Sequence, residues 1–424
     1  MKHESLTDWL SWLEQSHPRE IDLGLGRITQ VASRLDLLSP QALIVTVAGT
    51  NGKGSCVATS AEILRAAGYS VGVYTSPHLL HYNERIRINN RLATDEEICE
   101  AFAAIHRACE QESVSLTYFE YGTLAAFYLF KKHQTTAMVL EVGLGGRLDA
   151  VNILDADIAI ITSIDLDHQD WLGDTREKIG FEKAGIMRAN HPMICADPNP
   201  PESLINHAKS LNTKSYFVGE DFFYESESNQ WRWWNQSLTE DHWQELPQLP
   251  LPSVAAALQM ASVLKLDFAQ LDLFNRVAAL RIPGRFQQLT WNSRHWVMDV
   301  AHNPAATAFL AKRLLNWKQQ SSSTKIHAIV AMMSDKDRLE SLTNLRSIID
   351  QWHLLDLSFL PRAANIAQLT ENLMSIGQAP VSAGDMNSCV QKVLATSQSQ
   401  DLIVIFGSFY TVAEAMKLIP ILES

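Results

Sequence analysis

A chain of 424 residues is long enough for two or more domains with apolar cores. With 46% apolar and 19% charged residues it is typical of a soluble globular protein, and its net charge of -12 argues against non-specific binding to nucleic acid or to an anionic membrane surface. The five cysteines are odd in number and lack C-x-x-C spacing, so they indicate reduced thiols rather than a disulfide framework or a zinc site. With no membrane-spanning apolar run and no signal-peptide pattern, the expected location is the cytoplasm.

The first informative stretch follows two amphipathic helices, over 6–16 and up to residue 38. A β-branched strand at 44–47 runs into a glycine-rich turn, Gly49 to Ser55, and then into a helix. Backbone N–H groups of such a turn and the helix N-terminus favour phosphate, with Lys53 reaching the outer phosphates and Ser55 placing a hydroxyl on Mg²⁺. The spacing departs from the common phosphate-loop pattern, so a tight connection without a ligand stays the alternative.

The next strand, 71–74, ends in a loop that carries Ser76 and His78. Strand carboxyl ends line the ligand crevice of a doubly wound sheet, so both side chains are expected near the nucleotide, although a plain turn fits equally well. Residues 83–88 alternate polar and apolar, which predicts an exposed hairpin strand whose arginines form a solvated face.

Two helices are predicted next, from the capping box at Thr94 to about 110 and from Thr117 to about 133. The buried strand 137–142 that follows contains Glu141. A carboxylate there is costly unless it is paired or binds a metal, so Glu141 is a candidate Mg²⁺ ligand, with a buried ion pair to Arg147 as the alternative.

The strand 157–162 ends in a cluster of acids with one histidine, His168. Magnesium prefers oxygen ligands, so the residues alone leave a metal role for His168 open. The helix 175–187 contains Lys183, and a lone lysine on a helix is usually a surface charge.

The fold class predicted from these elements is α/β. A phosphate-loop, doubly wound, mostly parallel sheet domain over 1–282 includes a small antiparallel hairpin region, because aromatic and polar residues interleave over 214–250. Residues 282–285 form a linker, and strands near 295–300, 326–332, 352–356 and 401–406 predict a second, Rossmann-like α/β domain over 283–424. Polar groups after three of these strands indicate that this domain also faces a ligand.

Five motifs in chain order resemble those of the folylpolyglutamate synthases, relatives of the Mur ligases. They are Gly49 to Ser55, Glu141 to Asp149, Glu182 to Gly185, Pro283 to Phe286 and Asp299 to Pro304. Residues 21–25 and 117–123 are similar to the bacterial branch that is both dihydrofolate synthase and folylpolyglutamate synthase. The match spans nearly the whole chain.

The resemblance implies roles for individual residues. Lys183 would be carbamylated, and it would be catalytic together with Lys53 and His302. His302 would contact glutamate; the simpler alternative is that it fixes its loop by hydrogen bonding. The other implied roles are ATP binding by Thr50, Asn51, Gly52, Lys53, Gly54, Ser55, Arg285 and Asp299; two Mg²⁺ ions on Ser76, Glu141 and His168; and pterin binding by Gln15, Ser16, His17, Thr117, Tyr118, Phe119, Glu120, Leu148, Asp149 and Ala150. Where relatives carry a nucleotide-contacting asparagine in a P-N-A-A run, this chain has Ser253, which lacks the amide donor.

The implied reaction is ATP-dependent and joins a carboxylate of dihydropteroate or a reduced folate to the amine of L-glutamate through an acyl phosphate. The enzyme would be a monomer without nucleic-acid or membrane partners. Two alternatives remain: another Mur-type amide ligase, or a regulatory NTPase whose second domain has no acceptor role.

Overall fold

The computed structural model describes residues 4–19, 21–238, 242–320 and 324–419. The chain forms two compact units, Met1–Leu280 and Arg281–Ser424. None of the described helices has the length and apolar character needed to cross a membrane.

The first unit contains ten helices and eleven strands among its described residues. The helices are α1 (Leu6–Ser16), α2 (Gly26–Arg34), α3 (Lys53–Ala66), α4 (Asp95–Glu112), α5 (Tyr118–Lys132), α6 (Gln169–Leu172), α7 (Arg176–Ala184), α8 (Glu202–Ser210), α9 (Leu251–Val263) and α10 (Leu273–Ala279). The strands are β1 (Leu43–Ala48), β2 (Val71–Tyr74), β3 (Ile86–Ile88), β4 (Arg91–Leu92), β5 (Ala137–Glu141), β6 (Ile158–Ile161), β7 (Pro192–Cys195), β8 (Lys214–Phe217), β9 (Phe222–Glu227), β10 (Gln230–Asn235) and β11 (Gln244–Glu245).

The main sheet of this unit has the order β4-β3-β2-β5-β1-β6-β7-β8. The strands from β2 to β8 in this order pair in parallel, and β3 joins β2 antiparallel. The central strands β1, β5 and β6 are buried almost throughout, which explains their continuous apolar sequences: helices cover both faces of a parallel sheet. The capping box predicted at Thr94 is present, with Glu97, and Thr117, predicted only as the start of a helix, forms a second capping box with Glu120.

Within the predicted hairpin region 214–250, strands β9 to β11 form a separate antiparallel sheet, β11-β10-β9, as predicted, whereas Lys214–Phe217 form β8, a parallel edge strand of the main sheet. Trp231 and Trp233 on β10 are buried, while the residues between and beside them are partly exposed. The ring of Trp233 stacks on Phe268, with centroids 5.4 Å apart. The face of β10 that carries Trp231 and Trp233 therefore packs into the core of the unit.

The second unit is a six-stranded α/β sheet. Its strands are β12 (Gln287–Trp291), β13 (Arg294–Met298), β14 (Ile326–Val330), β15 (Gln351–Leu355), β16 (Pro380–Gly384) and β17 (Leu402–Phe406), and its helices are α11 (Pro304–Gln320), α12 (Arg338–Thr343), α13 (Ile366–Ser375), α14 (Met386–Thr396) and α15 (Phe409–Leu418). The order is β12-β13-β17-β14-β15-β16, parallel except for β12.

The predicted fold class is thus confirmed, with two strands of the second unit missing from the prediction. Both β12 and β16 are edge strands whose residues alternate between half-buried and exposed. Edge strands of this kind lack the continuous apolar run that marks a central parallel strand, so their sequences do not stand out.

Candidate active site

In the first unit, four predicted site segments lie at the same side of the main sheet, where the parallel strands end. Strands β2, β5, β1 and β6 are consecutive parallel neighbours, so their carboxyl ends lie side by side. Ser76 follows β2, Glu141 ends β5, the phosphate loop follows β1, and His168 follows β6. This edge is where doubly wound sheets bind their ligands.

The phosphate loop turns sharply between β1 and α3. Gly52, which precedes α3, has φ +83°, and Gly49 has φ +153°. A Cβ on Gly49 would lie 1.9 Å from the hydroxyl oxygen of Thr162, so only glycine fits there. The ammonium of Lys53 folds back over the loop and donates to the carbonyls of Gly49 (2.9 Å) and Thr50 (3.3 Å), while Ser55 is buried in the first turn of α3.

Asn51 and Thr50 are fixed by the loop that follows β6. The Thr50 amide donates to the Ser163 carbonyl (2.8 Å), and its hydroxyl pairs with the backbone of Asp165. The Asn51 amide donates to the Ser163 hydroxyl at 3.0 Å. The phosphate loop and the loop that carries His168 are therefore connected through hydrogen bonds.

Glu141 is buried, with 4% of its surface exposed, and its Oε2 accepts from the Ser76 amide at 3.4 Å. The predicted metal ligands Ser76 and Glu141 thus meet. Arg147, the alternative partner for Glu141, instead pairs with Glu182 at 2.8 Å.

Lys183 is buried, with 4% exposed, so the interpretation of it as a surface charge is wrong. Burial, together with the charge of Lys53, lowers the pKa of its amine to about 7, while Asp167 and Asp149 oppose this shift. Near neutral pH a substantial fraction of this amine is unprotonated, and therefore nucleophilic.

Asp149 is a second buried charge beside the phosphate loop. Its carboxylate accepts from the amides of Leu144 (2.8 Å) and Val151 (3.1 Å), which fixes the glycine-rich turn after β5. Burial raises the pKa of Asp149 to about 6, while these amides and Lys53 counteract the rise. Of the predicted neighbours, Ala150 is buried and Leu148 is half-buried.

His168 precedes the short helix α6 with φ +52° and is exposed. No group of three or more His, Cys, Asp or Glu side chains suited to a metal occurs among the residues that the structure describes. Magnesium is commonly held by one or two carboxylates together with water and substrate phosphates, so the oxygen donors Glu141 and Ser76 beside a phosphate loop fit this ion.

The predicted pterin segments are joined by ionic contacts that the motifs did not reveal. Arg27 lies 2.9 Å from the Asp22 carboxylate and 3.3 Å from that of Glu120, which is buried in the capping box of α5. Burial raises the pKa of Glu120, and the nearby Arg27 counteracts the rise. His17 contacts Asp22 at 3.4 Å and the Ser115 hydroxyl at 3.0 Å.

Among the other residues of these segments, Gln15 is exposed at the end of α1 and the Ser16 hydroxyl donates to the Leu13 carbonyl. Ser16 also lines a cavity of about 370 Å³. Asp22 and Arg27 are candidate site residues that were not predicted from the sequence. Asp22 lies in the stretch 21–25 that resembles the family, but its position among the neighbouring residues did not indicate a chemical role.

Phe119 and Tyr118 lie on an aromatic surface next to the turn after β5. A Cβ on Gly143 would lie 2.5 Å from the Phe119 ring, so the ring lies directly over that glycine. The Arg85 guanidinium lies 5.4 Å from the Tyr118 ring centroid and donates to His78 Nδ1 at 2.9 Å. Arg85 is only 9% exposed, so the predicted solvated arginine face is wrong at this position.

The second unit carries its own cluster after β13. The half-buried Asp299 accepts from the amides of Phe286 and Ala301, both at 2.8 Å. Burial raises the pKa of Asp299, and the positive charge of Arg285 counteracts the rise. The Arg285 guanidinium lies 5.1 Å from the Phe409 ring centroid, and His302 Nδ1 lies 2.8 Å from the Val300 carbonyl, which fixes its loop.

Ser253 lies in the first turn of α9 and is 2% exposed. Its hydroxyl donates to the Gly52 carbonyl at 3.0 Å. The residue that replaces the asparagine of relatives thus has a direct partner in the phosphate loop.

Comparison with known proteins defines the class first. Residues 47–246 match the family model of the Mur ligase middle domain, and residues 284–409 match that of the Mur ligase glutamate ligase domain. Both segments carry the strand-end clusters described above.

The particular family follows from individual relatives. A dihydrofolate synthase/folylpolyglutamate synthase of Haemophilus influenzae is 40% identical over 96% of both chains. The structure of Escherichia coli FolC in complex with DHPP and ADP superimposes with a TM-score of 0.92, at 40% identity over 98% of both chains. A bifunctional folylpolyglutamate synthase/dihydrofolate synthase with Mn, AMPPNP and L-glutamate bound gives 0.88, also at 40% identity and 98% coverage of both chains. This chain belongs to the dihydrofolate synthase/folylpolyglutamate synthase family of ATP-dependent Mur-type ligases.

Proposed function

We propose that this chain adds L-glutamate to dihydropteroate, giving dihydrofolate, and to reduced folates, giving folylpolyglutamates, with ATP as the energy source. The observation that carries the proposal is the shared strand edge where the phosphate loop, Glu141 and the buried Lys183 occur together. The relatives support the substrates, since one is described with ADP and DHPP and another with AMPPNP and L-glutamate.

The first chemical problem is that a carboxylate is a poor electrophile at neutral pH. Transfer of the γ-phosphoryl group of ATP to this carboxylate converts it into an acyl phosphate and releases ADP. Catalysis of such a transfer rests on positioning and on charge stabilisation. The phosphate loop supplies backbone N–H groups and the Lys53 ammonium, which already lies over the loop.

The proposed metal ligands are Ser76, Glu141 and His168. Mg²⁺ bound there would neutralise phosphate charge, and the ordering of Glu141 by the Ser76 amide fits this role. Arg285 and Asp299 are the proposed ATP contacts of the second unit.

We propose that Lys183 is carbamylated. Its lowered pKa leaves an amine able to attack CO₂, which forms the N–C bond and releases one proton. The modification replaces a buried cation beside Lys53 with an anion, which removes an unfavourable charge pair.

In the second step the glutamate amine attacks the acyl phosphate, forms the amide and expels inorganic phosphate. His302 is the proposed contact for glutamate, although its Nδ1 also fixes its own loop. The pterin acid would be bound by the predicted segments at Gln15–His17, Thr117–Glu120 and Leu148–Ala150. The Asp22–Arg27–Glu120 contacts order two of these segments relative to each other.

We place the reaction in the cytoplasm, which agrees with the five free cysteines. The monomeric state stays a prediction.

The direct test incubates the purified protein with MgATP, L-glutamate and either dihydropteroate or tetrahydrofolate, and weighs the products. We expect glutamylated products with both acids and phosphate release only when an acid and glutamate are present together. Phosphate release without either substrate would favour the regulatory NTPase. Absence of product with both acids would leave another Mur-type ligase as the better assignment.

A further inference from the structure

Three hydroxyl groups from outside the phosphate loop bind its backbone carbonyls. Thr162 donates to the Asn51 carbonyl at 2.6 Å, and the Ser163 hydroxyl lies 3.2 Å from the same oxygen. Ser253, from the distant helix α9, donates to the next carbonyl, that of Gly52, at 3.0 Å. We call Thr162, Ser163 and Ser253 the hydroxyl clamp.

The geometry of the peptide bond gives these contacts a consequence. In a planar trans peptide, the carbonyl of one residue and the N–H of the next point in opposite directions. A fixed Asn51 carbonyl therefore directs the Gly52 N–H to the opposite side, and a fixed Gly52 carbonyl does the same for the Lys53 N–H. Such N–H groups at a helix N-terminus are the donors that bind phosphate.

The clamp and the two glycines of the loop fit tightly. A Cβ on Gly52 would lie 2.4 Å from the Ser253 hydroxyl oxygen, and a Cβ on Gly49 would lie 1.9 Å from that of Thr162. Thr162 and Ser253 are each 2% exposed, so water has little access to compete for these carbonyls. The bonds are thus protected from water.

We propose that the hydroxyl clamp is a positioning device that sets the two peptide planes of the phosphate loop for nucleotide binding. Its members act through the Gly52 and Lys53 amides and need no contact with the nucleotide. This gives Ser253 a function that suits its short side chain. The relevance of the clamp to ligation rests on the proposed function, whereas its effect on nucleotide binding is measured without ligation.

The test compares the variants Ser253→Ala and Thr162→Val by calorimetric titration with MgADP and by steady-state kinetics. Loss of one clamp bond is expected to raise the Kd for MgADP roughly 5- to 10-fold, with the KM for MgATP rising in parallel. The KM for glutamate should stay unchanged. A merely structural role would lower the active fraction, and hence kcat, without this selective change in nucleotide affinity.

Two variants serve as controls. Thr162→Ser keeps the hydroxyl and should restore MgADP binding to within about 2-fold of the wild type. Ser60→Ala removes a buried hydroxyl of α3 that is not part of the clamp, and it should leave MgADP affinity unchanged.

Wild-type MgADP affinity in both Ser253→Ala and Thr162→Val would overturn the clamp, even if ligation proceeds as proposed. A wild-type protein that binds MgADP but forms no glutamylated product would contradict the proposed function, and the variants would still decide the clamp. A wild-type protein that does not bind MgADP would overturn both.

Discussion

Both units bury ionisable side chains in a parallel sheet, but at different places along the strands. In the first unit, Glu141 lies at the carboxyl end of β5, with Lys183 and Asp149 close to the phosphate loop. In the second unit, His327 and His353 lie within β14 and β15, fully buried, with ring centroids 5.9 Å apart. Burial of an ionisable side chain alone therefore does not indicate a catalytic or binding role. Its position where the parallel strands end, next to the phosphate loop, does.

The surroundings of the two sets differ in the same way. Around Lys183, charges of both signs meet: Lys53, Asp167 and Asp149. His353 has the Ser382 hydroxyl at 2.7 Å, and His327 Nε2 lies 3.5 Å from Asp401 without hydrogen-bond geometry. Burial thus favours the neutral form of both histidines, whereas the lysine lies among charged side chains of both signs.

The largest expected effect tests whether the buried Lys183 takes part in catalysis. Lys183→Ala should reduce ligation by about 10³-fold while the melting temperature stays close to that of the wild type, because a charge that stabilises the transition state is lost. The measurement is kcat/KM for glutamate, with and without added short carboxylates, which should restore part of the activity. Lys178→Ala removes an exposed lysine of the same helix, paired with Asp174, and should be neutral. Near-normal turnover of Lys183→Ala would exclude the carbamate.

A somewhat smaller loss is expected at Glu141. Glu141→Gln keeps the shape but removes the anionic ligand, so turnover at ordinary Mg²⁺ should fall by about 10²-fold and recover in part at high Mg²⁺. Turnover is measured as a function of Mg²⁺ concentration. The matched control is Glu62→Gln on α3, where the carboxylate pairs with Arg65. An unchanged Mg²⁺ dependence in Glu141→Gln would show that Glu141 does not bind the metal.

The second unit is tested through nucleotide affinity. Arg285→Ala should weaken MgADP binding by about 10-fold, since it removes a charged hydrogen-bond donor proposed to contact the nucleotide. Titration calorimetry gives the Kd directly. Arg294→Ala, which removes a guanidinium bonded to Ser397 in the same unit, should bind MgADP as the wild type does. Equal affinities for all three proteins would remove Arg285 from the nucleotide site.

The smallest effect concerns stability and the histidine pair. Burial lowers the pKa of His353 to about 4, helped by His327 and Lys392, while the unfolded value is about 6.5. Between these values the unfolded chain takes up a proton that the folded chain does not, so stability falls as pH decreases from about 6.5 towards 4. Burial also lowers the pKa of His327, as does the charge of Lys325, while Asp401 and Asp350 oppose this shift.

The measurement is the melting temperature of the full chain at about pH 7.5 and about pH 5. Between these two pH values His353→Asn should lose less stability than the wild type does, which corresponds to a difference of on the order of 1 kcal/mol in the free energy of unfolding. His295→Asn, at an exposed position of the same unit, should behave as the wild type does. An identical acid sensitivity in His353→Asn would show that this histidine is not the source.

Much of the fold and the phosphate loop followed from local sequence. The β-branched run before Gly49, the capping box at Thr94, the helix start at Thr117 and the aromatic hairpin were predicted from residue spacing, because propensity and periodicity act over short distances. The edge strands β12 and β16 were not predicted, because half-exposed strands lack a continuous apolar run. The burial of Arg85 escaped because it depends on Tyr82 and Tyr118, which come from different elements.

The sequence by itself determined the alternation of strands and helices, the glycine-rich turn and the family resemblance, since each depends on the order and type of neighbouring residues. Only the tertiary structure decided that Lys183 is buried, that Arg147 pairs with Glu182, and that Ser253 binds Gly52. The physical reason is that burial and hydrogen bonding depend on packing between residues far apart in the chain. Ser253 and Gly52 are 201 residues apart, and no local pattern encodes their contact.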